Sequence, residues 1–183
     1  YTGEKIKVTP LAFIAKALVS ALKEFPNFNA SIDVNSNKIT YKKYFHIGFA
    51  VDTPHGLMVP KIRNVNQMSI QKIGAELKNT SKLCRELKIN KKEFFGGSMT
   101  ISSLGGIGGT HFTPIINPPE VAILGVGKNF DRLVKENGKI VSRKILPISL
   151  SYDHRIIDGA EGARFCVYLG KCLGKDFAFR LAV

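Results

Sequence analysis

Apolar residues recur at helical spacing near the start of the chain. One face of the pattern consists of Leu11, Ile14, Ala15, Leu18 and Leu22. Thr9-Pro10 is typical of an N-cap followed by proline at the first helical position, and Phe25-Pro26 ends the pattern. We predict a helix between these two signals.

Two further helices follow from the same kind of pattern. After Ser69 the shared apolar face consists of Ile70, Ile73, Leu77, Cys84 and Leu87. Asn90 and Glu93 resemble the capping box of a short helix behind it. A last helix is predicted from Asp158 to about Leu173, because Glu161 stands three residues after Asp158 as in a capping box.

Alternation of apolar and other residues predicts strands elsewhere. Residues 44–51 form one strand, residues 53–56 turn the chain, and residues 57–62 return as a second extended segment. Further strands are predicted at 98–102, 121–126 and 146–152, and Asn137-Gly138 predicts a hairpin joining residues 130–135 to the strand beyond. Strands and helices are mixed without a strict βαβ rhythm. We therefore predict an α+β fold, a two-layer sandwich of mixed sheet and helices, rather than a Rossmann sheet.

The length of 183 residues suits one domain with a sizeable core, and 44% hydrophobic residues is a globular composition. No apolar run approaches the ~20 residues of a membrane span, and no basic-then-apolar leader opens the chain. We expect no membrane association. Because the chain starts at Tyr1 rather than at a methionine, we expect it to be a piece of something longer.

Charge and cysteine content limit the function classes. The formal charge of +13 is compatible with nucleic acid, an anionic small molecule, an acidic partner or a solvated lysine-rich surface. The basic residues are spread out without a helix-turn-helix or base-stacking signature, so we expect no nucleic-acid binding.

Cys84, Cys166 and Cys172 lack disulfide or zinc spacing, and we interpret them as reduced thiols. His46, His55 and His111 show no ligand spacing, so we predict no metal.

One histidine stands where catalysis is feasible. His154 follows a predicted strand and precedes the turn into the last helix, and an imidazole is suited to taking a proton from a thiol near neutral pH. From the residues alone, an ordinary core or surface histidine is the better-supported interpretation. Asp158 is explained as an N-cap, and Arg155 is an alternative partner for its carboxylate. The glycine-rich segment 105–109 lacks the ending of a phosphate-binding loop.

Residues 151–159 (SYDHRIIDG) nevertheless resemble the signature of the dihydrolipoamide acyltransferases, the cores of the 2-oxo acid dehydrogenase complexes. The resemblance extends to residues 99–110 (MTISSLGGIGGT) and 113–126 (TPIINPPEVAILGV), and it covers nearly the whole chain. Within this family, residues 108–119 resemble the acetyl-transferring members of pyruvate dehydrogenase complexes. The resemblance implies a single acyltransferase catalytic domain over 1–183 with a chloramphenicol-acetyltransferase-like fold. It also implies that part of the family's domain before the first helix, the lipoyl domain and the subunit-binding domain are missing.

The resemblance also implies the chemistry. His154 would take the proton from the thiol of coenzyme A or of dihydrolipoamide, and Ser102 would donate its hydroxyl to the tetrahedral oxyanion. Asp158 would complete the catalytic set, with a role that need not be proton transfer. Coenzyme A and a lipoyl group carried on a separate domain would be the substrates. The residues that bind coenzyme A are not predicted.

The implied assembly places His154 of one chain beside Ser102 of the next, in homotrimers that build a 24-subunit core rather than a 60-subunit one. The apolar stretch 177–183 is expected to be buried by such assembly. Lipoyl domains and the dehydrogenase components of the complex would be the other partners. The expected location is the cytoplasm of a bacterium, or the mitochondrial matrix or plastid of a eukaryote.

Three rival functions remain open at this point. The first is acyl transfer in a succinyl- or branched-chain complex. The second is a chloramphenicol acetyltransferase, which shares His-x-x-x-Asp-Gly but usually carries a second histidine where Asp153 stands. The third is a structural core homologue without catalysis, although a scaffold would need neither His154 nor Ser102.

Overall fold

The structure is a computed structural model that describes residues 9–33 and 35–174. Within these residues the α-helices are α1 (Pro10–Glu24), α2 (Ile70–Arg85) and α3 (Gly159–Cys172), with short 3₁₀ helices at Pro26–Asn29, Val65–Gln67 and Lys91–Phe94. The strands are β1 (Ala30–Asp33), β2 (Lys38–Tyr41), β3 (Ile47–Phe49), β4 (Val51–Thr53), β5 (Gly56–Met58), β6 (Lys61–Ile62), β7 (Met99–Ser103), β8 (Ala122–Val126), β9 (Phe130–Glu136), β10 (Lys139–Ile145) and β11 (Ile148–Tyr152). The predicted stretch 177–183 lies outside the described residues.

A mixed five-stranded sheet carries the fold, in the order β11-β8-β7-β3-β6. The neighbours β3 and β7, and β7 and β8, are parallel, while β11 and β6 pair antiparallel with β8 and β3. The remaining strands form three two-stranded pairs, β1 with β2, β4 with β5 and β9 with β10. This arrangement confirms the predicted α+β sandwich with a mixed sheet.

Helices cover one face of the sheet and form the main core with it. α1 contacts both α2 and α3, and α3 contacts β11. Side chains from alternate strand positions meet these helices, among them Ile47, Met99, Ile101 and Leu124, all at most 1% exposed. Because successive side chains point to opposite faces, Thr100 and Ser102 lie on the other face of the sheet. No helix among the described residues is long and apolar enough to cross a membrane.

Local signals located the helix starts correctly. Thr9 is the N-cap of α1, Ser69 accepts a hydrogen bond from Lys72 N at the start of α2, and Asp158 is the N-cap of α3. Asn137 and Gly138 both have positive φ, which confirms the predicted β9–β10 hairpin.

Two predicted elements differ in the structure. The single strand expected over 44–51 is divided into β3 and β4, because β3 pairs within the five-stranded sheet whereas β4 turns back to pair with β5. Leu87 does not join the buried face of α2 and is 55% exposed. The helix ends at Arg85, and Leu87 has a φ of +53°, which turns its side chain away from that face.

Candidate active site

His154 lies exposed on a turn between β11 and α3. The turn is anchored through Asp153, whose N–H donates to Val121 O at 2.8 Å and whose carbonyl accepts from the N–H groups of Ile156 and Ile157 at 3.1 Å. The imidazole is tilted against the ring of Tyr152, with centroids 5.8 Å apart. The sequence thus places an accessible imidazole on a backbone that is fixed on both sides.

Asp153 and Arg155 flank His154 and bind each other. Arg155 Nε donates to Asp153 Oδ1 at 2.9 Å, and Arg155 Nη2 donates to Oδ2 at 2.6 Å. The hydrogen bonds from Arg155 lower the pKa of the Asp153 carboxyl below its usual value. The alternative pairing of Arg155 with Asp158 is therefore wrong, because the guanidinium is already engaged two residues away.

Asp158 caps α3 four residues after His154. Its carboxylate accepts from Glu161 N at 2.7 Å. The reciprocal half of the predicted capping box is wrong: both Glu161 carboxylate oxygens accept from Asn27 Nδ2, at 3.1 and 3.0 Å. Tyr41 donates its hydroxyl to Asn27 Oδ1 at 3.0 Å, which leaves the amide nitrogen to face Glu161. The far side of the histidine turn is thereby held by the distant 3₁₀ helix at Pro26–Asn29.

Ser102 is half-buried near the carboxyl end of β7, on the face of the sheet away from α1 and α3. It lies opposite Gly125 in β8, which lies opposite Ser149 in β11. The ring of Phe112 covers Gly125, and a methyl group on Gly125 would lie 3.0 Å from Phe112 Cζ. The absence of a side chain at Gly125 therefore allows the segment after β7, through Phe112, to lie close to the row of paired residues Ser102, Gly125 and Ser149.

Within one chain, Ser102 and His154 lie at opposite ends of the sheet. Ser102 is level with Ser149, two strands away, whereas His154 follows Ser149 by five residues. β11 ends at Tyr152, so at about 3.3 Å per residue the end of the strand already lies about 10 Å from the level of Ser102, with two strand spacings of about 4.8 Å across the sheet, and His154 lies beyond that end. A hydroxyl and an imidazole at this separation do not act on the same thioester.

The glycine-rich segment after β7 forms a shaped connection, not a phosphate-binding loop. No helix occurs between Ser103 and β8, so the helix N-terminus that such a loop requires is missing there. Lys128 N bonds Gly109 O at 2.8 Å, which ties the segment to the end of β8. A cavity of about 290 Å³ opens between this segment and β11, lined by His111, Phe112, Thr113, Ser149, Leu150 and Ser151.

A buried ion pair on the same face of the sheet was not predicted from the sequence. Lys61 in β6 and Glu120 before β8 bind each other with side chains that are each 1% exposed. Thr100 donates to Glu120 Oε2 at 2.6 Å and accepts from Lys61 Nζ at 3.2 Å. The available signal in the sequence was Lys61, a charged residue within the predicted extended segment 57–62. The alternation pattern alone does not show what this lysine binds.

The cysteines and His46 form no second catalytic or metal site among the described residues. Cys84, Cys166 and Cys172 form no disulfide with one another, and burial raises the pKa of Cys84 and Cys166. His46 accepts a hydrogen bond from Asn64 N through Nδ1, and burial lowers its pKa. Among residues 9–33 and 35–174, no group of three His, Cys, Asp or Glu side chains is placed to hold a metal ion.

Comparison with known proteins places these features in context. The sequence model of the family described as "2-oxoacid dehydrogenases acyltransferase (catalytic domain)" matches residues 1–178. The dihydrolipoyllysine-residue acetyltransferase component of the pyruvate dehydrogenase complex of Cupriavidus necator is 53% identical over 172 residues, which are 94% of this chain. The chain spans about a third of the length of the curated relatives it matches first (31% of the Cupriavidus necator protein).

Solved structures agree with the sequence match. The cubic core of a pyruvate dehydrogenase multienzyme complex superposes with a TM-score of 0.90 at 49% identity, over 94% of this chain and 71% of that one. The same values hold for the dihydrolipoamide acetyltransferase of Azotobacter vinelandii, studied for the role of a serine, a histidine and an asparagine in its catalytic mechanism. A chloramphenicol acetyltransferase matches with a TM-score of 0.57 at 15% identity, which confirms the predicted type of fold.

Proposed function

Because the chain belongs to the 2-oxoacid dehydrogenase acyltransferase (catalytic domain) family, we propose that it transfers an acetyl group between coenzyme A and a lipoyl dithiol in a pyruvate dehydrogenase complex. The histidine turn carries this proposal. In the Azotobacter vinelandii enzyme, the serine precedes the histidine by 52 positions and the asparagine follows it by four. Ser102, His154 and Asp158 have the same separations, with aspartate in the third place.

His154 is the general base of the proposed mechanism. Its exposed imidazole takes the proton from the thiol of coenzyme A, or from dihydrolipoamide in the opposite direction. The thiolate then attacks the acetyl thioester directly, without an acyl-enzyme. The tetrahedral intermediate collapses by breaking the original C–S bond, and the leaving thiolate takes the proton back from His154. Because Asp153 binds Arg155, its carboxylate is not available as a competing base beside the imidazole.

Ser102 stabilises the tetrahedral intermediate of the proposed mechanism. Its hydroxyl donates to the oxyanion, an interaction whose removal costs ~3 kcal/mol in other enzymes. Asp158 acts through the helix cap, which holds the backbone behind His154. The separation of Ser102 and His154 within one chain supports a site composed of Ser102 from one subunit and His154 from another.

The proposed assembly is a homotrimer that builds a 24-subunit core in a bacterial cytoplasm, served by lipoyl domains and the dehydrogenase components of the complex. Support comes from the match to a cubic core at a TM-score of 0.90. A particle mass near 24 chains by light scattering is the expected result, and a mass near 60 chains contradicts this part of the proposal.

An acetyl-transfer assay with acetyl-coenzyme A and dihydrolipoamide tests the function. We expect turnover by the parent protein, loss of nearly all kcat in His154→Ala, and normal kcat in His55→Ala, which changes an exposed histidine of the β4–β5 turn. Equal rates for His154→Ala and the parent would contradict the mechanism. Absence of turnover in an assembled parent would favour a non-catalytic core homologue.

The acyl group is tested in the same assay. We expect acetyl-coenzyme A to give a higher kcat/KM than succinyl- or isobutyryl-coenzyme A. A preference for either of the larger acyl groups would assign the chain to a succinyl- or branched-chain complex.

A further inference from the structure

The ion pair between Lys61 and Glu120 occupies space that two glycines leave open. A methyl group on Gly48 would lie 2.5 Å from Thr100 Oγ1 and 2.7 Å from Lys61 Nζ, and one on Gly97 would overlap Glu120 Oε1. Both glycines have ordinary backbone angles outside the left-handed region. Glycine is therefore needed at positions 48 and 97 because a side chain there would collide with Lys61, Thr100 or Glu120.

Stability alone does not account for this network. Moving two charges out of water costs several kcal/mol per ion, and apolar side chains of similar volume are often equally stable in such places. Hydrogen bonds satisfy the pair closely: Thr100 bridges both partners, and Asn117 Nδ2 donates to Glu120 Oε1 at 3.4 Å. A complete buried network of this kind fixes one arrangement of the elements that supply its members.

The elements joined by the network are those that place Ser102. Lys61, Gly48 and Thr100 form one row across β6, β3 and β7. Ser102 is two residues further along β7 on the same face, about 7 Å from Thr100. Glu120 lies two residues before β8, near the end of the connection that leaves β7 after Ser103 and returns to β8. The network thus ties both ends of the segment around Ser102 to β6.

We propose that Thr100, held by Glu120 and Lys61, is a positioning residue for acyl transfer. The network fixes β7 and the following connection so that the Ser102 hydroxyl lies where the oxyanion forms. This role rests on the proposed acetyltransferase function, and Thr100 itself touches no substrate. Because the hydrogen bonds of Thr100 hold β7 in place, the Ser102 hydroxyl keeps its position when the thioester carbon changes from planar to tetrahedral.

The test replaces Thr100 in the assembled protein and measures kcat and KM for both substrates. Thr100→Val keeps the shape and removes the hydroxyl; we expect kcat to fall by about tenfold to a hundredfold with KM nearly unchanged, as for a small displacement of a catalytic group. Thr100→Ser restores the hydroxyl and should recover most of kcat. Ile123→Val, a buried change in the same row, is the matched control and should leave kcat unaltered. An unchanged kcat in Thr100→Val would overturn the proposal.

A second comparison separates positioning from a general loss of stability. In a Ser102→Ala background, Thr100→Val should lower kcat no further, because the group that it positions is gone. An equal fall in both backgrounds would overturn the proposal. Thr100→Ala removes the same hydroxyl if Thr100→Val does not assemble. Failure of both to assemble, while Ile123→Val assembles, would assign Thr100 a purely structural role.

The outcomes also distinguish this role from the function on which it rests. An inactive parent protein contradicts the proposed acetyl transfer, whatever Thr100 does. An active parent with a Thr100→Val variant of equal kcat contradicts only the positioning role.

Discussion

Replacing Asp158 by alanine separates helix capping from chemistry at the histidine turn. The change removes the oxygen that accepts from Glu161 N at 2.7 Å. Loss of such a cap costs ~1 kcal/mol, and loss of a negative charge at a helix N-terminus costs a further ~0.3–1 kcal/mol. For a domain of this size, we expect the Tm to fall by about 2–4 °C per kcal/mol.

Asparagine at position 158 keeps an oxygen that accepts the same hydrogen bond and loses only the charge. We therefore expect Asp158→Asn to lose less than half the stability lost by Asp158→Ala, and to keep most of the parent's kcat. Asp158→Ala should lower kcat, because the backbone that carries His154 loses its anchor to α3. Asp52→Ala, in the exposed middle of β4, is a charge-matched control without a cap.

Urea unfolding at one protein concentration gives the stability differences, and the acetyl-transfer assay gives kcat. If Asp158→Asn is as stable as expected but as inactive as His154→Ala, the Asp158 carboxylate itself takes part in the chemistry. If Asp158→Ala is as stable as the parent, the capping argument is wrong.

Three further predictions concern Lys42, Gly127 and the net charge. Burial lowers the pKa of Lys42 from 10.5 to about 8, so between these pH values the unfolded chain binds more protons than the folded protein and the free energy of unfolding rises with pH. In urea unfolding from pH 7 to 10, Lys42→Met should lack this rise, whereas the control Lys43→Met should keep it. Gly127→Ala would overlap the backbone carbonyl of Thr110, so it should lower the Tm, and an unchanged Tm would contradict this packing. The charge of +13 should speed encounter with anionic coenzyme A, so kcat/KM should fall as ionic strength rises, and an insensitive kcat/KM would refute this effect.

Local signals in the sequence were sufficient for the elements that depend on local chemistry. Ser69 and Asp158 cap their helices through short-range side-chain hydrogen bonds, and Thr9-Pro10 marks the start of α1. Asn137-Gly138 has the positive φ angles that a tight hairpin requires. These features were predictable because each depends on residues within one turn of the chain.

The interior of the sheet was less predictable. Residues 47–49 are all buried because β3 is paired on both sides, with β7 and β6, and the side chains of Lys61 and Thr100 cover Gly48, so alternation no longer marks a solvent side. Lys61 became interpretable only when Glu120, 59 residues away, was placed beside it. Ser102 carries no local signal, and its proposed role came from resemblance.

The most direct test of the shared site mixes two inactive variants. Ser102→Ala and His154→Ala are co-assembled in equal amounts, and acetyl transfer is measured per chain. In randomly mixed rings of three, a quarter of the sites combine an intact Ser102 from one chain with an intact His154 from its neighbour. We therefore predict about a quarter of the parent's activity. Activity no greater than that of the two variants assayed separately would contradict a site shared between chains.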